Sequence, residues 1–571
     1  MPAHDHDVVV LGSGLAGSIL ATILAQRGRS VLLLERGHHP RLAIGESLVP
    51  TSAMWFAILG HKHGIPELRT LAHLDSISRN VGPSCGVKRG FGYVYHRDGQ
   101  AHLDPDESSH FIGAKQPIFR ESQFYRQDVD HHMVGVAQDY GVTYRDRTAV
   151  RAVDIDDDVA TLTLDGGDTV TTRFVVDATG RNSVLADTYG LREEPCRLRH
   201  SSRTIFNHFR NVRPFEEVAP HAARSHYTAG WSEGTLHHVF DGGWFWVIPF
   251  NNYPASRNDL VSVGVTVSTD RHPRDDSIDP GKEFQSFIER FPLVERHLGP
   301  AEPTRDFVGT DRIQYSSTTS VGHRFLLLQH AYGFIDPLFS RGIWRSLEAI
   351  DVVVDELLPA LADDDLGPDR LAAIDVAQAA MLDDNDQMVH NAYRATRHYD
   401  TWTAWLRVWF ADEFLTTIPV LAATFRYAAD GDLSVFERMA GGRRPGTTYS
   451  FSDDLQTIID HADRLLDEVE QGALAPDEAR RRIQGRLSAV DYLPHDLIDW
   501  SADGEFGIDL TPPRLAKLVW WGRRRAPAGL RGEAFDYRLR DLLRLQVADA
   551  VRPSLVRRDH LGNVIPQRPV A

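Results

Sequence analysis

Cysteine is nearly absent. The 571 residues include two, Cys85 and Cys196. Two thiols make no disulfide framework, and such sparing use fits a reducing compartment, so a cytoplasmic protein is expected. Positive charge is also scarce: 62 Lys and Arg face 79 Asp and Glu, giving a formal net charge of −17. That balance argues against nucleic acid and anionic membranes as main partners. No apolar run approaches the roughly 20 residues that cross a bilayer. The opening Met1-Pro2-Ala3-His4-Asp5-His6-Asp7 has neither the basic start nor the apolar stretch of a secretory leader. There is no CxxC, no HExxH and no internal repeat. His4 with His6, and His131 with His132, read as solvated histidines, so no metal is expected.

What is present begins at the N-terminus. The Val-rich run Asp7-Val8-Val9-Val10-Leu11 reads as a strand buried on both faces. Gly12-Ser13-Gly14-Leu15-Ala16-Gly17 follows directly, then a helical pattern on Leu15, Ile19, Ile23 and Leu24 with Gly28 as its stop. A second apolar run, Val31–Leu34, ends in Glu35, which lies 23 residues after Gly12. Glycines here let the backbone turn tightly and approach a pyrophosphate. The helix N-terminus offers unpaired N–H groups, and the acid accepts from a ribose. A dinucleotide site is expected at Gly12, Gly14, Leu15, Ala16, Gly17, Glu35 and Arg36.

The length implies two or three domains. Residues 1–190 read as the nucleotide module with part of a second sheet, and 191–310 as a β-rich insertion. The chain returns to the nucleotide module at 311–360, and 361–571 reads as a helical C-terminal domain. Inside the first segment, Val159–Leu164 and Val170–Thr172 flank Asp165-Gly166-Gly167-Asp168 as a hairpin. Phe174–Asp177 then reads as a buried strand entering a tight turn at Ala178-Thr179-Gly180. Within Cys85–Gly99, Phe91, Tyr93 and Tyr95 alternate with Gly92 and Val94 and read as a strand, with Lys88 at its start. Trp402, Trp405 and Trp409 share one helix face, suited to core packing or to a lid. Gly441–Gly446 reads as a flexible break. Leu455, Ile458, Ile459, Ala462, Leu465, Leu466 and Val469 mark an amphipathic helix, Pro476 opens another, and Arg523-Arg524-Arg525 reads as a solvated helix end.

Several strings resemble one family. Gly45-Glu46-Ser47 with Pro50, the complete WxWxIP string at Trp244, Trp246, Ile248 and Pro249, and Asp336-Pro337 followed by Ser340-Arg341-Gly342 are similar to the flavin-dependent halogenases. Over at least the first 430 residues the likeness is nearest to the halogenases of tetracycline biosynthesis, through HHPR, FGYVYHRDG, IPFNN, DRIQYSS and GFIDPLFSRG. The resemblance implies an α/β fold with an FAD-binding Rossmann-like module of the aromatic-hydroxylase type. It adds Gly45, Glu46, Ser47, Arg126, Asp177, Gly180, Asp336 and Pro337 to the FAD site. It also implies a gating role for Trp244, Trp246, Ile248 and Pro249, halide binding by the amides of Arg341 and Gly342, and catalysis by Lys88 and Ser340.

The implied chemistry runs from FADH2 and oxygen through a flavin hydroperoxide and hypohalous acid to Lys88, which delivers chlorine to an electron-rich aromatic. Chloride is the implied halide. A desolvated lysine suits this task because burial disfavours its charged form. Tryptophan-specific members carry a glutamate immediately before the serine; Phe339 stands there in this chain, which points instead to phenolic or polyketide-type aromatics. Gln329-His330 also replaces the Gly-Asp of most flavin hydroxylases. No second glycine-rich nucleotide unit is present, so a separate flavin reductase is expected to supply FADH2. Two rival readings stay open at this point: an FAD-dependent aromatic hydroxylase and a redox-silent FAD-binding protein.

Overall fold

The computed structural model describes residues 4–538 except 103, 114–120, 220–226, 437–451 and 502–505. The break read at Gly441–Gly446 lies outside the described residues. Among those described, eight strands form a first sheet and nine a second.

The first sheet is parallel at its centre. His6–Leu11 lies between Val31–Leu34 and Thr169–Asp177, with Val8 opposite both Val31 and Phe174. Phe325–Leu327 and Thr143–Arg145 extend the parallel set on either side. Strands covered on both faces are apolar throughout: Val8, Val9, Val10, Leu32, Leu33, Val175 and Val176 are all fully buried. Each such aliphatic side chain contributes roughly 1.5–3 kcal/mol. The expected hairpin is Ala160–Leu164 against Thr169–Asp177. Because Thr169–Asp177 and Phe325–Leu327 come from distant parts of the chain, the nucleotide module is discontinuous.

The second sheet is mainly antiparallel. Its core strands are Ser202–Arg210, Val261–Ser268, Gly243–Pro249 and Thr235–Phe240. It also takes Gly90–Tyr95, Ser108–Ile112 and Ile508–Asp509, so the β-rich layer draws on the chain well outside 191–310. The strand read on Phe91, Tyr93 and Tyr95 is Gly90–Tyr95, and Lys88 precedes it. Gly86–Lys88 is a short strand of its own, paired antiparallel with Glu121–Gln123, and the chain bends at Arg89 before Gly90–Tyr95. The reason is close packing: a Cβ at Gly86 would lie 2.2 Å from the Pro249 carbonyl oxygen, and one at Gly90 would lie 1.9 Å from that of Phe111.

Helices Gly342–Asp363, Ala372–Ala395 and Tyr399–Asp430 close the junction of the two sheets. Tyr399–Asp430 is long and apolar enough to cross a bilayer, but 78% of its apolar window is buried inside the fold. Trp402, Trp405 and Trp409 account for much of that and pack as core. The amphipathic pattern read at Leu455–Val469 falls in the helix Ser452–Glu470, and Pro476 opens Pro476–Ala489.

Candidate active site

At the nucleotide end the backbone does the positioning. Gly12 has φ +92°, a left-handed conformation that strains a residue with a side chain. A Cβ on Gly17 would sit 2.0 Å from the Gly12 carbonyl oxygen, so only glycine lets the helix Leu15–Gln26 lie this close to the first strand. Gly14 differs: a Cβ there would meet only Arg41 Nη2, at 3.7 Å, which leaves an open approach to the first turn of the helix. Glu35 is buried and accepts from Ser13 N and Oγ, Gly37 N and Arg41 Nη2 at 2.8–3.3 Å. Burial pushes its carboxyl up, but the donors of Gly37, Arg41 and Ser13 outweigh it and hold the carboxyl below its ordinary value. Arg36 is exposed beside it.

A cavity of about 710 Å³ runs from this end toward the second sheet. Arg41, Gly45, Arg126, Gly180 and Arg181 line one part of it, and Trp244, Trp246, Ile248, Asp336 and Ser340 another. Arg126 fixes the Gly45 loop. Its guanidinium forks onto Asp130 at 2.7 and 2.9 Å and donates to the Ile44 and Gly45 carbonyls at 2.8 and 3.1 Å. Glu46 is buried and accepts from His208 Nε2 at 2.7 Å. Asp177 is spent on its own turn, accepting from Thr179, Ser183 and Leu185. Gly180, at φ +74°, is the part of that turn which reaches the cavity.

The WxWxIP strand forms a wall. Trp246 donates to Ser262 Oγ at 3.1 Å, and its ring fills the place where a Cβ on Gly264 would be, 2.1 Å away. Trp244 Nε1 donates to Tyr393 Oη at 2.8 Å, and that hydroxyl donates to Asp336 Oδ2 at 3.0 Å. Asp336 also accepts from Ser202 Oγ and from Leu338 N, the residue that follows Pro337.

Lys88 is 1% exposed. Its Nζ donates to Ser47 Oγ at 2.6 Å and to the Leu48 carbonyl, and lies 3.7 Å from the centre of the Phe91 ring. Ser340 Oγ donates to Ser47 Oγ at 3.0 Å, and Thr235 Oγ1 lies 2.8 Å from the same oxygen. Burial pushes the Lys88 ammonium down to about 7, against the opposing pull of Glu121 and Glu413. Lys88 and Ser340 are therefore joined through Ser47, and the expected WxWxIP residues Trp244, Trp246 and Ile248 line the same cavity as Ser47.

Comparison with known proteins gives the family. The family model described as tryptophan halogenase matches residues 121–438, and one described as an NAD(P)-binding Rossmann-like domain matches 10–54. Tetracycline 7-halogenase of Kitasatospora aureofaciens is 37% identical over 91% of this chain and 93% of its own. Monodechloroaminopyrrolnitrin halogenase PrnC of Pseudomonas fluorescens is 36% identical over 94% and 95%. The crystal structure of halogenase PltM with phloroglucinol and FAD superposes with a TM-score of 0.80, at 29% identity, over 85% of this chain and 95% of that one. The chain belongs to the tryptophan halogenase family and is a flavin-dependent halogenase.

FAD is the cofactor of the halogenase, and its residues fit that group. The open side of Gly14, the unpaired first-turn N–H groups and the buried, ionised Glu35 suit the adenosine diphosphate half. Gly45, Gly180 and Arg126 suit the flavin half. At the far end, Ser340 takes φ +55° and hands the chain to the helix Gly342–Asp363, with Arg341 as its N-cap. The Arg341 side chain turns away into a buried network with Glu413 at 2.9 Å and Asp412. Phe339 stacks on Trp409 with centroids 5.0 Å apart and an interplanar angle of 14°. Gln329, which replaces the usual glycine, takes φ +45° and is held by Gln378 Oε1, which accepts from its N–H at 2.5 Å.

Sequence reading missed Thr235, Gln123, Tyr393 and Glu413. Each reaches the halogenase site from an element far along the chain: Gln123 Nε2 donates to Thr235 Oγ1 at 2.9 Å from 112 residues away. No spacing rule links such pairs. The one available signal was the alternation of Glu121 and Gln123, which places both on one face of a strand.

Proposed function

We propose that this halogenase uses FADH2, oxygen and chloride to chlorinate an electron-rich, phenolic aromatic, with Lys88 handling the electrophilic halogen. One observation carries the reading: a lysine 1% exposed, tied through Ser47 to Ser340, beside the cavity that Trp244, Trp246 and Ile248 line. FAD, when bound and reduced, supplies the activation of oxygen from which hypohalous acid derives.

The chain's own residues do the rest. Chloride is held by the N–H groups of Arg341 and Gly342, where the helix Gly342–Asp363 presents its positive end to the cavity. Trp244, Trp246, Ile248 and Pro249 form a bulky wall that keeps the organic substrate from the flavin and lets only the small oxidant pass. Lys88, with its ammonium destabilised by burial, offers a nitrogen lone pair to the oxidant near neutral pH. Ser47 and the Leu48 carbonyl fix its direction. Phe339 against Trp409, with Phe91 and Tyr93 alongside, is a buried aromatic cluster that backs Lys88 through the Phe91 ring. Tetracycline 7-halogenase and the phloroglucinol complex of PltM support the phenolic class. The reduced flavin comes from a separate reductase, and the two unpaired cysteines suit a reducing cytoplasm.

The test is mass spectrometry of phloroglucinol incubated with the protein, FAD, a flavin reductase, NADH and oxygen, with and without chloride. A product bearing the chlorine isotope pair only in the chloride arm is expected. A product that gains oxygen alone would replace this reading with a hydroxylase.

A further inference from the structure

We propose that Glu121 is the positioning residue that shares a proton with Lys88 across the strand pair, supplying from the Glu121–Gln123 strand the carboxyl that Phe339 does not provide. The inference rests on the reading of Lys88 given above.

Lys88 and Glu121 are direct partners in the antiparallel pair Gly86–Lys88 with Glu121–Gln123. Directly opposite residues point to one face, with Cβ atoms about 4.5–5.5 Å apart. Gln123 marks that face independently. It lies two residues on from Glu121, and its amide donates to Thr235 Oγ1, which adjoins the Ser47 oxygen that Lys88 binds. Both members are removed from water: Lys88 is 1% and Glu121 5% exposed. Two of the three positions on Lys88 Nζ are taken by Ser47 Oγ and the Leu48 carbonyl, and a neutral amine keeps both bonds. The third position therefore carries either a proton or the lone pair.

The other polar groups facing Lys88 are already committed. Glu413, on Tyr399–Asp430, accepts from Arg341 Nε at 2.9 Å. His237, on Thr235–Phe240, is pushed by burial to about 3 and stays neutral, with Nδ1 3.0 Å from the Gly92 carbonyl oxygen. Burial raises the Tyr93 phenol well above its ordinary value, so it keeps its proton. Burial also pushes Glu121 up to about 8, against the pull of Lys88. Burial raises Glu413 as well, but its carboxylate is held by Arg341. Lys88 and Glu121 are the pair set opposite each other, and one proton between them leaves the pair uncharged overall.

The step balances. In the reactive state Lys88 is an uncharged amine and Glu121, on the facing strand, a carboxylic acid, the net result of moving one proton from Nζ to the carboxylate. Hypohalous acid then transfers its halogen to the amine: the N–halogen bond forms, the O–halogen bond breaks, and an N–H proton completes a water. On transfer to the ring the C–halogen bond forms, the N–halogen bond breaks, and the ring proton returns to the nitrogen. Net, hypohalous acid and arene give haloarene and water.

The experiment compares wild type, Glu121→Gln, Glu121→Asp and Lys88→Ala in chlorination of phloroglucinol from pH 5.5 to 9, with FAD, flavin reductase and chloride supplied. Below about 7 both groups of the pair hold protons and the amine is blocked; above about 8 the shared proton is lost. Wild-type kcat is therefore bell-shaped between those limits. Glu121→Gln is expected to lower kcat at pH 7 at least tenfold, to leave KM within twofold and to abolish the alkaline limb. Glu121→Asp is expected to restore the bell. If Glu121→Gln keeps both kcat within twofold and the bell, the proposal is wrong. A lower kcat with the bell intact would mark a merely structural role and equally overturn it. If Lys88→Ala still chlorinates, the failure lies in the reading of Lys88 itself.

Discussion

The nucleotide turn and the lysine cluster are built from different materials. At the nucleotide end the groups proposed to work are backbone: the φ of Gly12, the missing Cβ atoms of Gly14 and Gly17, and the first N–H groups of a helix. At the lysine end they are side chains withdrawn from water: Lys88, Ser47, Ser340, Thr235 and Glu121. A backbone site is set by a few consecutive residues and is insensitive to pH. A side-chain site is assembled from distant segments, and burial tunes its charge states. The largest test of the contrast is Lys88→Ala. It removes the nitrogen proposed to take the halogen and should abolish chlorination, while FAD content by absorbance is unchanged. Loss of FAD together with activity would mean that the two ends are not separable.

The same contrast explains what the sequence disclosed. The strand, glycine turn, helix and acid around Gly12–Glu35 are contiguous, so composition and spacing sufficed. The family resemblance pointed to Lys88, Ser340 and the two tryptophans, because each lies in a short string. It could not disclose that Ser47 joins Lys88 to Ser340, since those hydrogen bonds span 41 and 293 residues. Nor could it show Tyr393 bridging Trp244 to Asp336. Helical periodicity marks Tyr393 as buried and says nothing of which hydroxyl partner it meets. The break between Gly86–Lys88 and Gly90–Tyr95 was invisible for a related reason: it is imposed by the Pro249 and Phe111 carbonyls of other strands.

The Ser340–Gly342 loop, proposed above as the halide site through its amides, belongs to the side-chain end by its support. Arg341 is 2% exposed and paired with Glu413 and Asp412. Arg341→Met would leave two buried carboxylates without their cation, at about 3–5 kcal/mol. Urea unfolding of the variant should show a midpoint lowered accordingly. A shift under about 1 kcal/mol would mean that the carboxylates find water or protons instead, as rim groups do.

A pair of glycine variants sharpens the other end. Gly17→Ala drives a Cβ into the Gly12 carbonyl and should lower both stability, by about 1–3 kcal/mol as overpacking does, and FAD retention. Gly14→Ala meets only Arg41 Nη2 at 3.7 Å, so its apo stability should match the parent while FAD retention falls. Equal retention of FAD by both variants and the parent would remove the pyrophosphate from this turn.

The smallest effect is expected at Ser47. Its Oγ accepts from Lys88 and Ser340 and meets Thr235, so it is the hub of the lysine end. Ser47→Ala nevertheless leaves Lys88 the Leu48 carbonyl and the Phe91 ring, and leaves Thr235 the Gln123 amide. The loss is that of one hydrogen-bond hub, about 0.5–1.5 kcal/mol, and the Ser340 hydroxyl, which donates to Ser47, is left facing the cavity. Chlorination should fall two- to tenfold with FAD content unchanged. A fall as deep as that of Lys88→Ala would show that the serine, and not the desolvated amine, sets the chemistry at this end.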